Sequence, residues 1–197
     1  MKFLALLLAL CAALPLSACS EEDDKSAASD IPASEEFNQV DVDFATHMIQ
    51  HHAQALLLAD LTDGRELPAA LTTVVEQVRM TQGVEIETMV DWLNSWNQPI
   101  PETVRDHANA HGHGEAGVDS DLPGMVGAEE MERLEAAEGE EFEQMWLELM
   151  IEHHKGAIAM ATTEKSEGEH PDAIDLATSI IDAQQAEIEE MEVLRDS

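Results

Sequence analysis

Two short stretches of the chain carry residue types that bind soft metal ions. Each reads Met-Ile-x-His-His, and the second follows the first by 102 positions. Thioether and imidazole ligands lose no proton at neutral pH, and a soft sulfur beside nitrogen favours Cu(I) over zinc, calcium or magnesium. At three- and four-residue spacing these side chains share one side of a helix. The predicted metal ligands are Met48, His51, His52, Met150, His153 and His154.

Core packing is the alternative explanation of these residues. A histidine on an apolar helix face usually finds a hydrogen-bond partner, and methionine fills gaps in a core. Packing would have to favour the same buried polar pair twice, and a buried imidazole needs a partner that a metal supplies. We therefore favour ligation for the four histidines and leave ligation or packing open for the two methionines.

The offset of 102 holds over about fifty residues, which indicates an internal duplication. In each half, a Gln-x-x-Glu pair interrupts the apolar face of the next helix. Antiparallel packing predicts Gln82 level with Met48, and the same arrangement in the second half. These groups could orient the histidines, ligate the metal through Glu85 and Glu187, or only fix the helix register. The predicted orienting residues or further ligands are Gln82, Glu85, Gln184, Glu187, Asp41 and Glu143.

Four amphipathic helices must position these side chains. Apolar residues recur at three- and four-residue spacing in four stretches, and no segment alternates for long enough to form a strand. Short connections make the helices of each pair antiparallel. We predict an all-α four-helix bundle over 39–197, with hairpins at about 40–96 and 140–196 and a long crossover at 97–139.

The composition limits the classes of partner. Nine Lys plus Arg oppose 42 Asp plus Glu, for a formal charge of −33. This charge argues against binding nucleic acid or an anionic bilayer through a basic surface. It favours cations, metal ions included, although a solvated acidic surface explains the same composition.

The N-terminal residues indicate export. Leu16-Ser17-Ala18-Cys19 follows a short apolar stretch and resembles the lipobox of bacterial lipoproteins, in which the cysteine is acylated. We predict a signal peptide over 1–18, a lipid anchor at Cys19, a flexible acidic tether over 19–38, and a membrane-anchored protein facing the periplasm or cell exterior. Ordinary cleavage after Ala18 is the alternative. Because Cys19 is then the only cysteine, a metal site must use His, Met and carboxylates.

The remaining histidines are weaker candidates. His107, His111 and His113 fall in the crossover, where a His-rich tract either captures metal transiently or is a chance cluster. His170 precedes Pro171 and is explained most simply as a residue at a helix start.

Several longer motifs resemble domain-of-unknown-function family 305. They are Asp41-x-x-Phe44-x-x-x-Met48-Ile49-x-His51-His52, Pro123-Gly124-Met125, Met150-Ile151-x-His153-His154-x-Gly156-Ala157-Ile158 and Gln184-x-x-Glu187-Ile188-x-x-Met191. The resemblance covers about 155 residues, from Asp41 to Leu194. It implies a ferritin-like fold, and some members are similar to copper-binding proteins that support copper resistance outside the cytoplasm. Two departures are Val126, where many members have a second Met, and Gly83 inside the second helix.

Three functions are compatible with these patterns. The first is an exported, lipid-anchored protein that binds copper, or another transition metal, for sequestration or hand-over. The second is a ferritin-like redox enzyme with a dinuclear centre, which normally carries Glu-x-x-His on two helices. The only such pair here is Glu167 to His170, so we rank the enzyme below the binder. The third is a metal-free interaction module.

Overall fold

The structure, a computed structural model, describes residues 36–108 and 121–197, with the backbone alone for residues 107 and 108. The predicted signal peptide, Cys19, most of the tether, and His111 and His113 lie outside these ranges, as does the side chain of His107. The described helices are α1 Gln39–Asp60, α2 Ala69–Ser95, α3 Val104–Ala108, α4 Ala128–Ala136, α5 Gly139–Glu167 and α6 Pro171–Arg195.

The ends of the helices follow from local chemistry. The Asn38 side chain caps α1 by accepting from the Val40 and Asp41 N–H groups, and Asp41 accepts from the Asn38 N–H in return. Pro171 occupies the first turn of α6, where its missing N–H has no helical partner to lose. Gly64 takes a φ of +78° in the turn after α1, a left-handed conformation suited to glycine.

The long helices form two antiparallel hairpins, α1 with α2 and α5 with α6. The hairpins pack through α1 against α5 and α2 against α6, while α3 contacts α1 and α4 contacts α5. The part of the chain that the structure describes contains helices and no strand, which confirms the predicted all-α class. One detail differs, because Val104–Ala108 is a short helix within the stretch from Pro99 to Val126, whose Gly, Pro and short polar residues predict a loop.

The apolar core has two parts, with the histidine motifs between them. One part contains Ala55 of α1 and Met150 of α5, and the other contains Met48 and Ala157 of the same helices. The histidines fall between those positions on both helices, so the two motifs share one layer in the middle of the bundle. Within the described ranges, no helix is both long enough and apolar enough to cross a membrane.

Candidate metal centre

The six predicted ligands are all removed from solvent. The side chains of His51, His52 and His154 are 0 % exposed, and that of His153 is 1 % exposed. Met48 and Met150 are also 0 % exposed. Polar side chains at this depth need partners, so the contacts of each imidazole decide what the layer can do.

One histidine of each motif meets its counterpart across the bundle. The ring centroids of His51 and His153 are 3.7 Å apart, with 35° between the planes. His52 and His154 lie farther out, with centroids 6.5 Å from those of their sequence neighbours. The two half-sites therefore adjoin through α1 and α5.

The outer histidines each bond to a carboxylate on the next helix. The Nε2 of His52 lies 2.7 Å from Oε2 of Glu85, and the Nε2 of His154 lies 2.7 Å from Oε2 of Glu187. The second contact repeats the first at the offset of 102 positions. Because a carboxylate accepts, each imidazole donates its Nε2–H, and the neutral form of such a ring carries its lone pair on Nδ1.

The inner His51 bonds to the crossover. Residues 122–126, here called the crossover strap, lie across α1 and α5 and bring the Pro123 carbonyl oxygen 3.0 Å from Nε2 of His51. A carbonyl oxygen only accepts, so Nε2 carries the hydrogen and Nδ1 the lone pair.

Five buried ring nitrogens have no hydrogen bond of good geometry. They are Nδ1 of His51, His52 and His154 and both nitrogens of His153. Burial, followed by the neighbouring His52, lowers the pKa of His51 to about 3. Burial, followed by His51 and His154, holds the pKa of His153 well below its usual range, although the His51 backbone weakly opposes that shift. Both inner imidazoles are therefore neutral at physiological pH, which is the form that binds metals.

The donor types limit which metals this layer suits. Among the described side chains, no three from His, Cys, Asp and Glu converge closely enough to hold an ion. A zinc site would normally have three or four such ligands. The layer instead offers neutral imidazoles, with Met48 in one adjoining part of the core and Met150 in the other, and imidazole and thioether are donor types that suit a soft ion. The orphaned, buried nitrogens fit such an ion because they lack any other partner.

The other predicted polar residues are divided between two places. Glu85 and Glu187 lie against the histidines. Gln82 makes no hydrogen bond within the described residues, and Oε1 of Gln184 likewise has no partner there. Because His52 lies opposite Glu85, α2 is shifted from the register that would set Gln82 level with Met48.

No described hydrogen bond links Asp41 or Glu143 to the four histidines of the layer. Asp41 is 0 % exposed, and its carboxylate accepts from the N–H groups of Asn38, Glu169 and His170, which joins the start of α1 to the α5–α6 turn. Glu143 is half-buried on the first turns of α5.

Sequence reasoning missed two contributors to the layer. The first is the Pro123 backbone carbonyl, whose role is independent of side-chain type. The second is Gln54, which is 5 % exposed and pairs with Val126 of the crossover strap. A glutamine inside the apolar run after His52 was the available signal for Gln54.

The comparisons with known proteins agree with this fold. A DUF305 fragment from Deinococcus radiodurans is 30 % identical with a TM-score of 0.67, covering 81 % of this chain and 97 % of its own. A DUF305 protein from Streptomyces coelicolor, predicted to be secreted, is 26 % identical with a TM-score of 0.67, covering 79 % and 91 %. CopM in its Cu(II)-bound form is 27 % identical with a TM-score of 0.60, covering 79 % and 95 %.

The match to a family extends over most of the sequence. No curated protein sequence matches the chain. The family described as "Domain of unknown function (DUF305)" matches residues 41–195, a range that contains all six predicted ligands. The chain therefore belongs to the DUF305 family.

Proposed function

We propose that this protein is an exported, lipid-anchored protein of the cell envelope that binds copper for sequestration or hand-over. The observation that carries the proposal is the state of the buried imidazoles. Three of them donate Nε2–H to an oxygen and keep an unpartnered Nδ1 in the core. Metal-ligating histidines characteristically donate their other ring N–H to a carboxylate or a carbonyl in this way.

The proposed ligands are the four histidines with Met48 and Met150. Thioether sulfur favours Cu(I), and the inner imidazoles need not lose a proton before binding it. CopM, whose solved forms include Cu(I)-, Cu(II)- and silver-bound structures, supports copper as the cargo. Glu85 and Glu187 would orient His52 and His154 without touching the ion.

The export and the lipid anchor rest on sequence. The lipobox-like residues that end at Cys19 support acylation, and the relative from Streptomyces coelicolor, predicted to be secreted, supports export. Metabolic labelling with a fatty-acid analogue tests the anchor, since a Cys19→Ala variant must lose the label.

Competition for Cu(I) against a chromophoric chelator tests the copper proposal. The mature domain is expected to withdraw Cu(I), and a variant with all four histidines replaced by Ala is expected to withdraw far less. Equal competition by both proteins, or none by either, overturns the proposal. Circular dichroism establishes that the quadruple variant is folded before the affinities are compared.

A metal-free interaction module is the second candidate, and one observation favours it. The His52–Glu85 and His154–Glu187 contacts are complete hydrogen bonds that fix helix register without any ion. A ligand that binds only the folded state must raise its stability. Thermal unfolding that is unchanged by copper, zinc or iron would favour this module over the metal binder.

A further inference from the structure

The crossover strap is bound tightly to α1 through one side chain. The Gln54 Nε2 donates to the Val126 carbonyl oxygen at 2.9 Å, and the Val126 N–H donates to Gln54 Oε1 at 2.8 Å. Gln54 therefore pairs with a loop backbone much as one strand pairs with another. Both groups are buried, so breaking the pair leaves polar atoms without water to replace it.

Two glycines fix where the strap lies on the other side. Gly124 takes a φ of +78°, and a Cβ there would come 2.7 Å from the Glu152 carbonyl oxygen. A Cβ on Gly156 would come 1.9 Å from the Pro123 carbonyl oxygen. The strap thus touches the α5 backbone as closely as glycine permits, and small movements of it change the position of the Pro123 carbonyl.

The Pro123 carbonyl in turn selects one tautomer of His51. The bond to Nε2 requires the hydrogen on that nitrogen, and it leaves the lone pair on Nδ1. Without that acceptor, the buried ring would have no partner on Nε2, and nothing on that side would favour one tautomer over the other.

We propose that Gln54 is a positioning residue for the histidine layer. Through Val126 it holds the crossover strap so that the Pro123 carbonyl presents the Nδ1 lone pair of His51 to an incoming soft metal ion. The role in metal binding rests on the function proposed above. The effect on the His51 tautomer is independent of any metal.

The test compares Gln54→Leu and Gln54→Glu with the wild type. A glutamate at position 54 can still accept from the Val126 N–H but cannot donate to the Val126 carbonyl oxygen. The Gln54→Glu variant therefore still tests the proposal if Gln54→Leu does not fold. Gln50→Leu is the matched control, because Gln50 is also a buried glutamine of α1 and donates to the Glu102 carbonyl oxygen.

Long-range ¹H–¹⁵N spectra of the metal-free proteins report the ring tautomer directly. We expect the Nε2–H tautomer of His51 in the wild type and in Gln50→Leu, and a mixture of the two tautomers in both Gln54 variants. Amide hydrogen exchange at Val126 should be at least tenfold faster in the Gln54 variants than in the wild type. Cu(I) affinity should then fall about 10-fold in the Gln54 variants, near the low end for loss of a group that orients a ligand.

An unchanged His51 tautomer overturns the proposal, and so does unchanged Cu(I) affinity beside a mixed tautomer. Absence of Cu(I) binding by the wild type overturns the proposed function instead, and the ring spectra still decide the positioning of His51.

Discussion

The imidazole of His51 lies against the imidazole of His153, with 3.7 Å between the ring centroids and 35° between the ring planes. The two residues belong to different hairpins, so this contact turns two separate sequence motifs into one layer. Two protonated rings could not remain this close inside a core, and burial lowers the pKa of both. Neither ring nitrogen of buried His153 has a hydrogen bond of good geometry, so its burial costs free energy that a bound metal ion would offset.

Replacing His153 by Leu should separate stability from metal binding. An apolar side chain of similar volume removes two unpartnered nitrogens, so the free energy of unfolding of the metal-free protein should rise by about 1–2 kcal/mol. Cu(I) affinity should fall by more than the roughly 10- to 100-fold typical of losing an orienting group. Urea titration and chelator competition measure the two quantities.

The matched control for His153→Leu is His47→Leu on α1. His47 is half-buried and outside the histidine layer, so its replacement should leave Cu(I) affinity unchanged. A His153→Leu protein that is less stable than the wild type and binds Cu(I) equally well would contradict this account of the layer.

The bond between His52 and Glu85 predicts a loss of affinity without loss of a ligand. Glu85→Gln keeps the side-chain length but removes the charge that makes the imidazole a stronger donor to a metal. We expect Cu(I) affinity to fall about 10- to 100-fold. Competition with a chelator at fixed pH measures the change.

Glu87→Gln provides the control for Glu85→Gln, since Glu87 is exposed on the same helix. It removes the same charge two residues away and should leave the affinity unchanged. Glu187→Gln, compared with exposed Glu189→Gln, repeats the experiment in the second hairpin. Equal losses in the variants at the histidine-bonded and at the exposed glutamates would assign the effect to net charge alone.

Much of the fold could be predicted from the sequence because local and global signals agree. Apolar spacing marks each long helix, and the two prolines typical of a first helical turn, Pro68 and Pro171, stand beside the start of α2 and at the start of α6. Buried residues such as Met48 and Met150 are also apolar in type, so the same pattern identifies the core. The Asp41 contact joins distant turns and carried no local signal.

The candidate site was predicted less completely because it depends on register and on backbone. The connection over 61–68 does not reverse the chain symmetrically about its middle. The Arg79–Asp60 and Glu85–His52 contacts belong to one register of α2 against α1. A symmetrical turn would instead bring Gln82 closer to His52 than Glu85. The length of a loop alone does not fix its path. The Pro123 carbonyl is likewise a backbone group, and its direction cannot be predicted from the type of any residue.

The contact between Gly156 and the crossover strap predicts an unusual response to alanine. Gly156→Ala would place a Cβ 1.9 Å from the Pro123 carbonyl oxygen, so the strap must move. Such overpacking typically costs about 1–3 kcal/mol in the free energy of unfolding, even though Ala is the better helix former. Urea denaturation measures the loss, and the His51 ring spectra should change as the carbonyl withdraws.

Gly83→Ala is the matched control for Gly156→Ala. Gly83 also lies inside a helix, α2, but a Cβ there meets nothing within 4 Å. Helix propensity then acts alone and should raise the free energy of unfolding by up to about 1 kcal/mol. Stabilisation by both substitutions would mean that the strap does not touch α5 as closely as described.

Glu164 faces Asp41 at the end of the bundle where α1 begins. Its side chain is 0 % exposed, and burial, then the hydrogen bond to Asp41 and its charge, raise the pKa of Glu164 to about 8. Two carboxyl groups can share a hydrogen bond only when one of them carries a proton. Asp41 already accepts from three backbone N–H groups, and the raised pKa of Glu164 keeps a proton on that residue at neutral pH.

This buried proton predicts that stability falls as the pH rises. The ordinary pKa of Glu164 is 4.5 and that in the folded chain is about 8, so between these values the folded state holds a proton that the unfolded state has lost. The free energy of unfolding from this group then decreases with pH by at most about 1.4 kcal/mol per unit, and the decrease ends above the folded-state pKa. Urea titrations between pH 7.5 and 8.5 should show the decline, since His51 and His153 are neutral there in the folded state and largely neutral in the unfolded state as well. Glu164→Gln, which can donate to Asp41 at any pH, should flatten this decline in stability. The control Glu140→Gln, at an exposed glutamate, should leave the decline unchanged. Parallel curves of unfolding free energy against pH for the wild type and Glu164→Gln would contradict the assignment of a proton to Glu164.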